Sequence, residues 1–161
     1  EDYDRLLALQ PSDAEREKSS REYRRVYTIS DDLDYVSQTM KPVAKFGFRM
    51  DNPEDIPTAM NAVREKFGFE AALTDYQTIE VTKAGVTKGS GLAHICDHYG
   101  LKPENVIVFG DSGNDIPMMK IAGYAVAMGN AMPDVKLMAD EVTGTLAEDG
   151  VVTAINRLFD L

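Results

Sequence analysis

The chain has 161 residues, 43% of them hydrophobic, and carries 27 acidic against 17 basic side chains for a formal charge of −10. With an isoelectric point near 4.6, it has core enough for one ordinary domain or two small ones and lacks the basic balance a nucleic-acid binder wants. No run approaches the roughly 20 apolar residues of a membrane helix, the start Glu1-Asp2-Tyr3-Asp4-Arg5 has no apolar signal segment, and the lone Cys96 excludes an internal disulfide, so a cytoplasmic protein without nucleic-acid or membrane partners is expected.

Residues 1–25 are charge-rich and read as solvated helix or linker. Ser30-Asp31-Asp32 can cap a short helix ending near Met40. Between Val43 and Met50 the pattern alternates, with Ala44, Phe46, Phe48 and Met50 on one face, which predicts a half-buried strand. Asn52-Pro53 then starts a helix, Asn as cap and Pro in the first turn. Ile56, Ala59, Met60, Val63 and Phe67 recur at helical spacing up to Gly68. Phe69–Leu73 and Gln77–Thr82 read as antiparallel strands around Thr74-Asp75-Tyr76.

After Gly85 the rhythm changes. Thr87 can cap a helix whose stripe is Leu92, Ile95, Cys96 and Tyr99, ended by Gly100. Val106–Phe109 is a continuous apolar run, the pattern of a strand buried on both faces of a parallel sheet. A helix over Ile116–Ala122, a strand over Tyr124–Met128, a helix over Pro133–Met138, a short strand over Glu141–Thr143 and a final helix over Gly150–Phe159 follow. Such alternation predicts a doubly wound α/β layer. Met118, Met119, Met128, Met132 and Met138 are expected as core filler.

The sharpest chemical signal is Val106-Ile107-Val108-Phe109-Gly110-Asp111-Ser112-Gly113-Asn114-Asp115. Ligands of open α/β sheets bind beyond the carboxyl ends of the strands, where this loop falls. Asp111 and Asp115 offer two hard oxygen ligands suited to magnesium, and Asn114 can donate to a phosphate oxygen. The plainer reading is that Asn114 or Asp115 merely caps the next helix. Lys88, in the first turn of its helix, is placed for an anion. His94 and His98 stand four apart, but with no third ligand in view they read as surface histidines; Glu148-Asp149-Gly150 reads as a turn and cap.

Lys88-Gly89, Gly110 to Asp115, Met118 with Ala122-Gly123, Val126 to Ala131 and Glu148-Asp149-Gly150-Val151 together resemble the C-terminal half of a Cof-type sugar-phosphate phosphatase. That is a branch of the haloacid dehalogenase superfamily with a large mobile cap. The resemblance covers residues 26–161 and implies an α/β fold: a partial doubly wound, Rossmann-like core over 85–161, and an α+β cap half over 1–84 behind the charged N-terminal segment. It implies Mg2+ as cofactor and a small phosphorylated metabolite as substrate. It casts Lys88 as the catalytic lysine that steadies the phosphoryl group, Asp111 as a metal ligand, Asp115 as support for the metal or the lysine, and Asn114 as a phosphate contact.

The family's nucleophile lies in a D-x-D-G-T segment, and this sequence has none. Asp31-Asp32-Leu33-Asp34 lacks both the apolar strand before it and the Gly-Thr after it. With Glu at the first position, the chain is therefore expected to be a fragment, completed by an N-terminal piece of the same gene product or by a second chain, and inactive alone. A non-catalytic remnant or interaction module is the rival reading. The phosphorylation domain of a P-type ion pump, which has a similar loop, ranks last for want of a transmembrane run.

Overall fold

In the computed structural model, residues 44–161 are described; the readings made for residues 1–25 and 30–40 lie outside them. Strand β1 (Lys45–Arg49) leads through a 3-10 turn (Pro53–Asp55) into helix α1 (Ile56–Phe67), then β2 (Glu70–Leu73) and β3 (Thr78–Thr82). The three strands form an antiparallel sheet in the order β1-β3-β2. Alternation decides the faces. Ala71, Ile79 and Val81 turn toward α1 and make a core with Ile56, flanked by Met50, Ala59, Met60, Val63 and Leu73. Glu80 and Thr82 turn the other way. Gly68, in left-handed backbone at φ 67°, ends α1 as expected.

Three expectations fail here for related reasons. All of β1 is exposed, with Phe46 at 55%, because β1 is an edge strand and α1 lies over β2 and β3. Phe67 closes the helical stripe in sequence but stacks on Phe69 at 6.4 Å on the surface. Asn52 does not cap: its amide reaches only Asp55 Oδ2, at 3.5 Å.

Past Thr87 come α2 (Lys88–Tyr99), β4 (Ile107–Gly110), α3 (Ile116–Met119), β5 (Tyr124–Ala127), α4 (Pro133–Met138), β6 (Glu141–Val142) and α5 (Gly150–Phe159). β4, β5 and β6 make a parallel sheet in that order. Val108, Met119, Ala125, Ala127, Met128, Ala131 and Val135 form its core. β5, the middle strand, is the most buried. In β4 only Val108 and Gly110 are buried, since it has one neighbour among the described residues. The buried line of α2 runs through Gly89, Leu92 and Cys96; Ile95 and Tyr99 of the expected stripe are 56% and 71% exposed. A Cβ at Gly89 would sit 2.5 Å from the Pro117 carbonyl oxygen, so only glycine lets α2 lie this close to α3. Met138 is not filler but a 41% exposed side chain at the end of α4. Among the described residues no helix is long and apolar enough to cross a membrane.

Candidate active site

Two local structures bring the site together. Thr87 is a true N-cap: Ser90 N–H donates to Thr87 Oγ1 at 3.1 Å, and Thr87 N–H to Ser90 Oγ at 2.9 Å. The reciprocal pair fixes the start of α2, and with it the stem of Lys88. The loop leaving β4 supplies the other side. Asp115 occupies the N-cap position of α3, yet its side chain makes no cap bond. It folds back into the loop, where Oδ2 accepts N–H bonds from Asp111 at 2.9 Å and Ser112 at 3.1 Å. Oδ1 receives the ammonium of Lys88, 27 positions away in sequence.

Asp115 is 3% exposed, whereas the Lys88 side chain is 48% exposed. Burial works to raise the Asp115 carboxyl, but the hydrogen bond from Lys88, the two backbone N–H groups and the lysine's charge outweigh it and hold the group below the ordinary carboxylate value. An ionised anchor thus grips a lysine whose outer surface meets solvent.

Both oxygens of Asp115 are committed to donors. Asp111 differs: its backbone N–H goes to Asp115 and its carbonyl accepts from Met132 N–H at 2.9 Å, but its exposed carboxylate has no protein partner among the described residues. That is the donor chemistry a hard cation takes. Magnesium is commonly held by one or two carboxylates with water and substrate phosphate completing the shell. Among the described residues no group of three or more His, Cys, Asp or Glu could hold a metal, and His94 and His98 are exposed on α2.

Asn114 is partly buried and oriented from both ends. Its Oδ1 accepts from Ser112 Oγ at 2.9 Å, and its Nδ2 donates to Glu80 Oε2 at 3.3 Å. Glu80 in turn accepts from Lys45 Nζ at 2.6 Å. A polar row therefore runs from Lys45 through Glu80, Asn114, Ser112 and Asp115 to Lys88, joining the free face of the antiparallel sheet to the loop after β4. Gly113 lies against β2, where a Cβ would be 2.7 Å from the Leu73 carbonyl oxygen. Lys88, Asn114 and Gly113 share a cavity of about 740 Å³ with Lys45, Glu80 and Thr82. Ser112, Glu80 and Lys45 were not singled out from sequence. Alternation on β3 does put Glu80 on the face away from the core, but nothing local tells that this face meets the loop.

The family model for haloacid dehalogenase-like hydrolases matches residues 2–155. The chain belongs to that family. As a haloacid dehalogenase-like hydrolase it is 40% identical over 113 residues to a 5-amino-6-(5-phospho-D-ribitylamino)uracil phosphatase of Bacillus subtilis, covering 70% of this chain and 45% of the relative. It is 36% identical over 117 residues to a phosphoglycolate phosphatase of Methanothermobacter thermautotrophicus, covering 73% and 51%. Among solved structures, a subclass IIB sugar phosphatase of the superfamily superposes with a TM-score of 0.70 at 31% identity, over 85% of this chain and 51% of that one. The expected family and its α/β, Rossmann-like core are thereby borne out. The chain spans about half the length of these relatives.

Proposed function

We propose that this chain supplies the lysine and the metal- and phosphate-holding loop of a phosphatase acting on small phosphate esters. The observation that carries the reading is the Lys88–Asp115 pair, which presents a half-exposed ammonium at the loop that also carries Asp111, whose carboxylate has no partner among the described residues, at the carboxyl end of a parallel strand. Phosphoryl transfer asks chiefly for positioning and charge stabilisation. Lys88 would hold a non-bridging phosphate oxygen and the attacking carboxylate together. Asp115 would keep Lys88 charged and aimed, and Asn114, fixed by Ser112 and Glu80, would offer an amide N–H to the phosphate. Asp111 would hold Mg2+, which when bound neutralises charge on the phosphate.

The reaction of the whole protein would pass through an aspartyl-phosphate on a nucleophile from a D-x-D-G-T segment. This sequence lacks that segment, so the chain alone is expected to turn nothing over, and a companion N-terminal piece or complementing chain is part of the proposal. So are a cytoplasmic location and the division into a cap half over 1–84 and a core half over 85–161. The rival, a non-catalytic remnant, would follow if the upstream coding sequence offered no such segment.

The test is a phosphatase assay of the longest native gene product on a panel of sugar phosphates, with magnesium or with chelator, beside its Asp111→Ala variant. Turnover that needs magnesium and falls at least about a hundredfold in the variant is expected, several kcal/mol of barrier being at stake. Equal turnover by the variant would remove Asp111 from the metal site.

A further inference from the structure

The phosphatase reading leaves open what the ester carries besides phosphate. The cavity that begins at Lys88 and Asn114 runs onto the free face of the antiparallel sheet, and the first side chain beyond Asn114 is acidic. Glu80 Oε2 lies 3.3 Å from Asn114 Nδ2, so a group attached to a phosphate on Asn114 would meet that carboxylate directly. Its neighbour Lys45 weakens the charge without occupying the oxygen concerned. The ammonium sits on Oε1 at 2.6 Å, leaving Oε2 as the oxygen turned toward the loop. On the side of the antiparallel sheet the lining has two acids, Glu70 and Glu80, and two bases, Lys45 and Arg64, and Glu70 Oε1 accepts from Gly85 N–H at 2.9 Å. Arg64 donates to the Ala71 carbonyl oxygen at 2.6 Å. Next to Asn114 the cavity therefore offers an acceptor oxygen, Glu80 Oε2.

Resting on the phosphatase reading, we propose that Glu80 is a specificity-determining residue. It favours esters whose leaving group bears hydroxyl or amino donors and disfavours those with a carboxylate close to the phosphate. A hydroxyl on such a ligand donates to Glu80 Oε2. A carboxylate there meets the like charge of Glu80, which Lys45 compensates only in part, at a cost of about tenfold in affinity.

Two probes of similar size separate the cases: glycerol 3-phosphate, with hydroxyls, and 2-phosphoglycolate, with a carboxylate. Dissociation constants would be measured on the whole chain in the presence of magnesium, by following the backbone amides of residues 110–115 and the Asn114 side-chain amide. Dispersion of the amide spectrum checks that each variant is folded. The expected preference for glycerol 3-phosphate is about tenfold. Glu80→Gln, which keeps shape and an acceptor oxygen, should bring the ratio near one. Lys45→Met, which unmasks the carboxylate, should raise it. Lys88→Ala should weaken both ligands alike. An unchanged ratio in both Glu80→Gln and Lys45→Met, with binding still dependent on Lys88, would overturn the role of Glu80 and leave the phosphate site standing. Binding of neither probe by the wild-type chain, or binding indifferent to Lys88→Ala, would overturn the phosphate site and this proposal with it.

Discussion

Replacing Asp115 by Ala removes one buried carboxylate and four interactions at once: the N–H bonds of Asp111 and Ser112, a long Ser112 Oγ bond at 3.4 Å and the pair with Lys88. Of these, the N–H of the buried Ser112 has no other partner among the described residues, and a buried donor left unpaired costs about 1–3 kcal/mol. The Asp111 N–H belongs to an exposed residue and can turn to water. The ion pair with the half-exposed Lys88 is screened and contributes at most about 1 kcal/mol. The sum is a loss of roughly 2–4 kcal/mol. Asp115→Asn keeps an acceptor for the two N–H groups but turns an amide N–H2 toward the lysine, so its loss should be about half as large. With a urea dependence of about 1–3 kcal/mol per molar, the Ala midpoint should fall by about 1–2 M in a denaturation curve followed by circular dichroism. The depressed carboxyl adds a pH signature. A group ionised more easily in the folded than in the unfolded chain stabilises above the unfolded value, about 3.9, and that stability is lost as pH falls through the folded value. The gap between wild type and Asp115→Asn should therefore be full near neutrality and narrow below about pH 4. An Ala variant within about 0.5 kcal/mol of wild type, or a gap that ignores acid, would refute the claim that Asp115 organises this loop.

Other outcomes follow from the same geometry. Thr87→Ala should cost about 1 kcal/mol in chemical denaturation by breaking the reciprocal cap with Ser90, and Thr87→Ser should restore most of it. Gly89→Ala must push α2 off Pro117; it should lower the melting temperature by several degrees and move the Lys88 amide in the spectrum, whereas Gly91→Ala, with open space at its Cβ, should not. Gly113→Ala should separate the loop from β2, seen as loss of the Gly113–Leu73 contact in nuclear Overhauser data.

Local rules carried most of the fold into the sequence. Thr87 and Gly100 bracket α2, and Gly68 closes α1, because caps are decided by a residue and its near neighbours. The apolar runs of the parallel sheet and the Gly110–Asp115 loop were equally legible, since a continuous run and a strand-end glycine each have one common explanation. What stayed hidden depends on partners. The positions of Phe46, Ile95 and Tyr99 fit apolar stripes, yet whether a stripe is covered depends on which neighbour lies over it. Asp115 at an N-cap position reads as a cap by default; only the approach of Lys88 and the curl of the loop show it turned inward. Glu80 and Asn114 meet across 34 positions in sequence, a pairing that no window of residues contains.

The central claim, that Lys88 and the Asp111–Asp115 loop form one phosphate grip, is tested most directly by titrating the chain with inorganic phosphate in magnesium while recording the amide spectrum. Saturable shifts confined to residues 87–90 and 110–115, lost in Lys88→Ala and weakened in Asp111→Ala, are the expected result. Shifts elsewhere, or binding unaltered by Lys88→Ala, would contradict it.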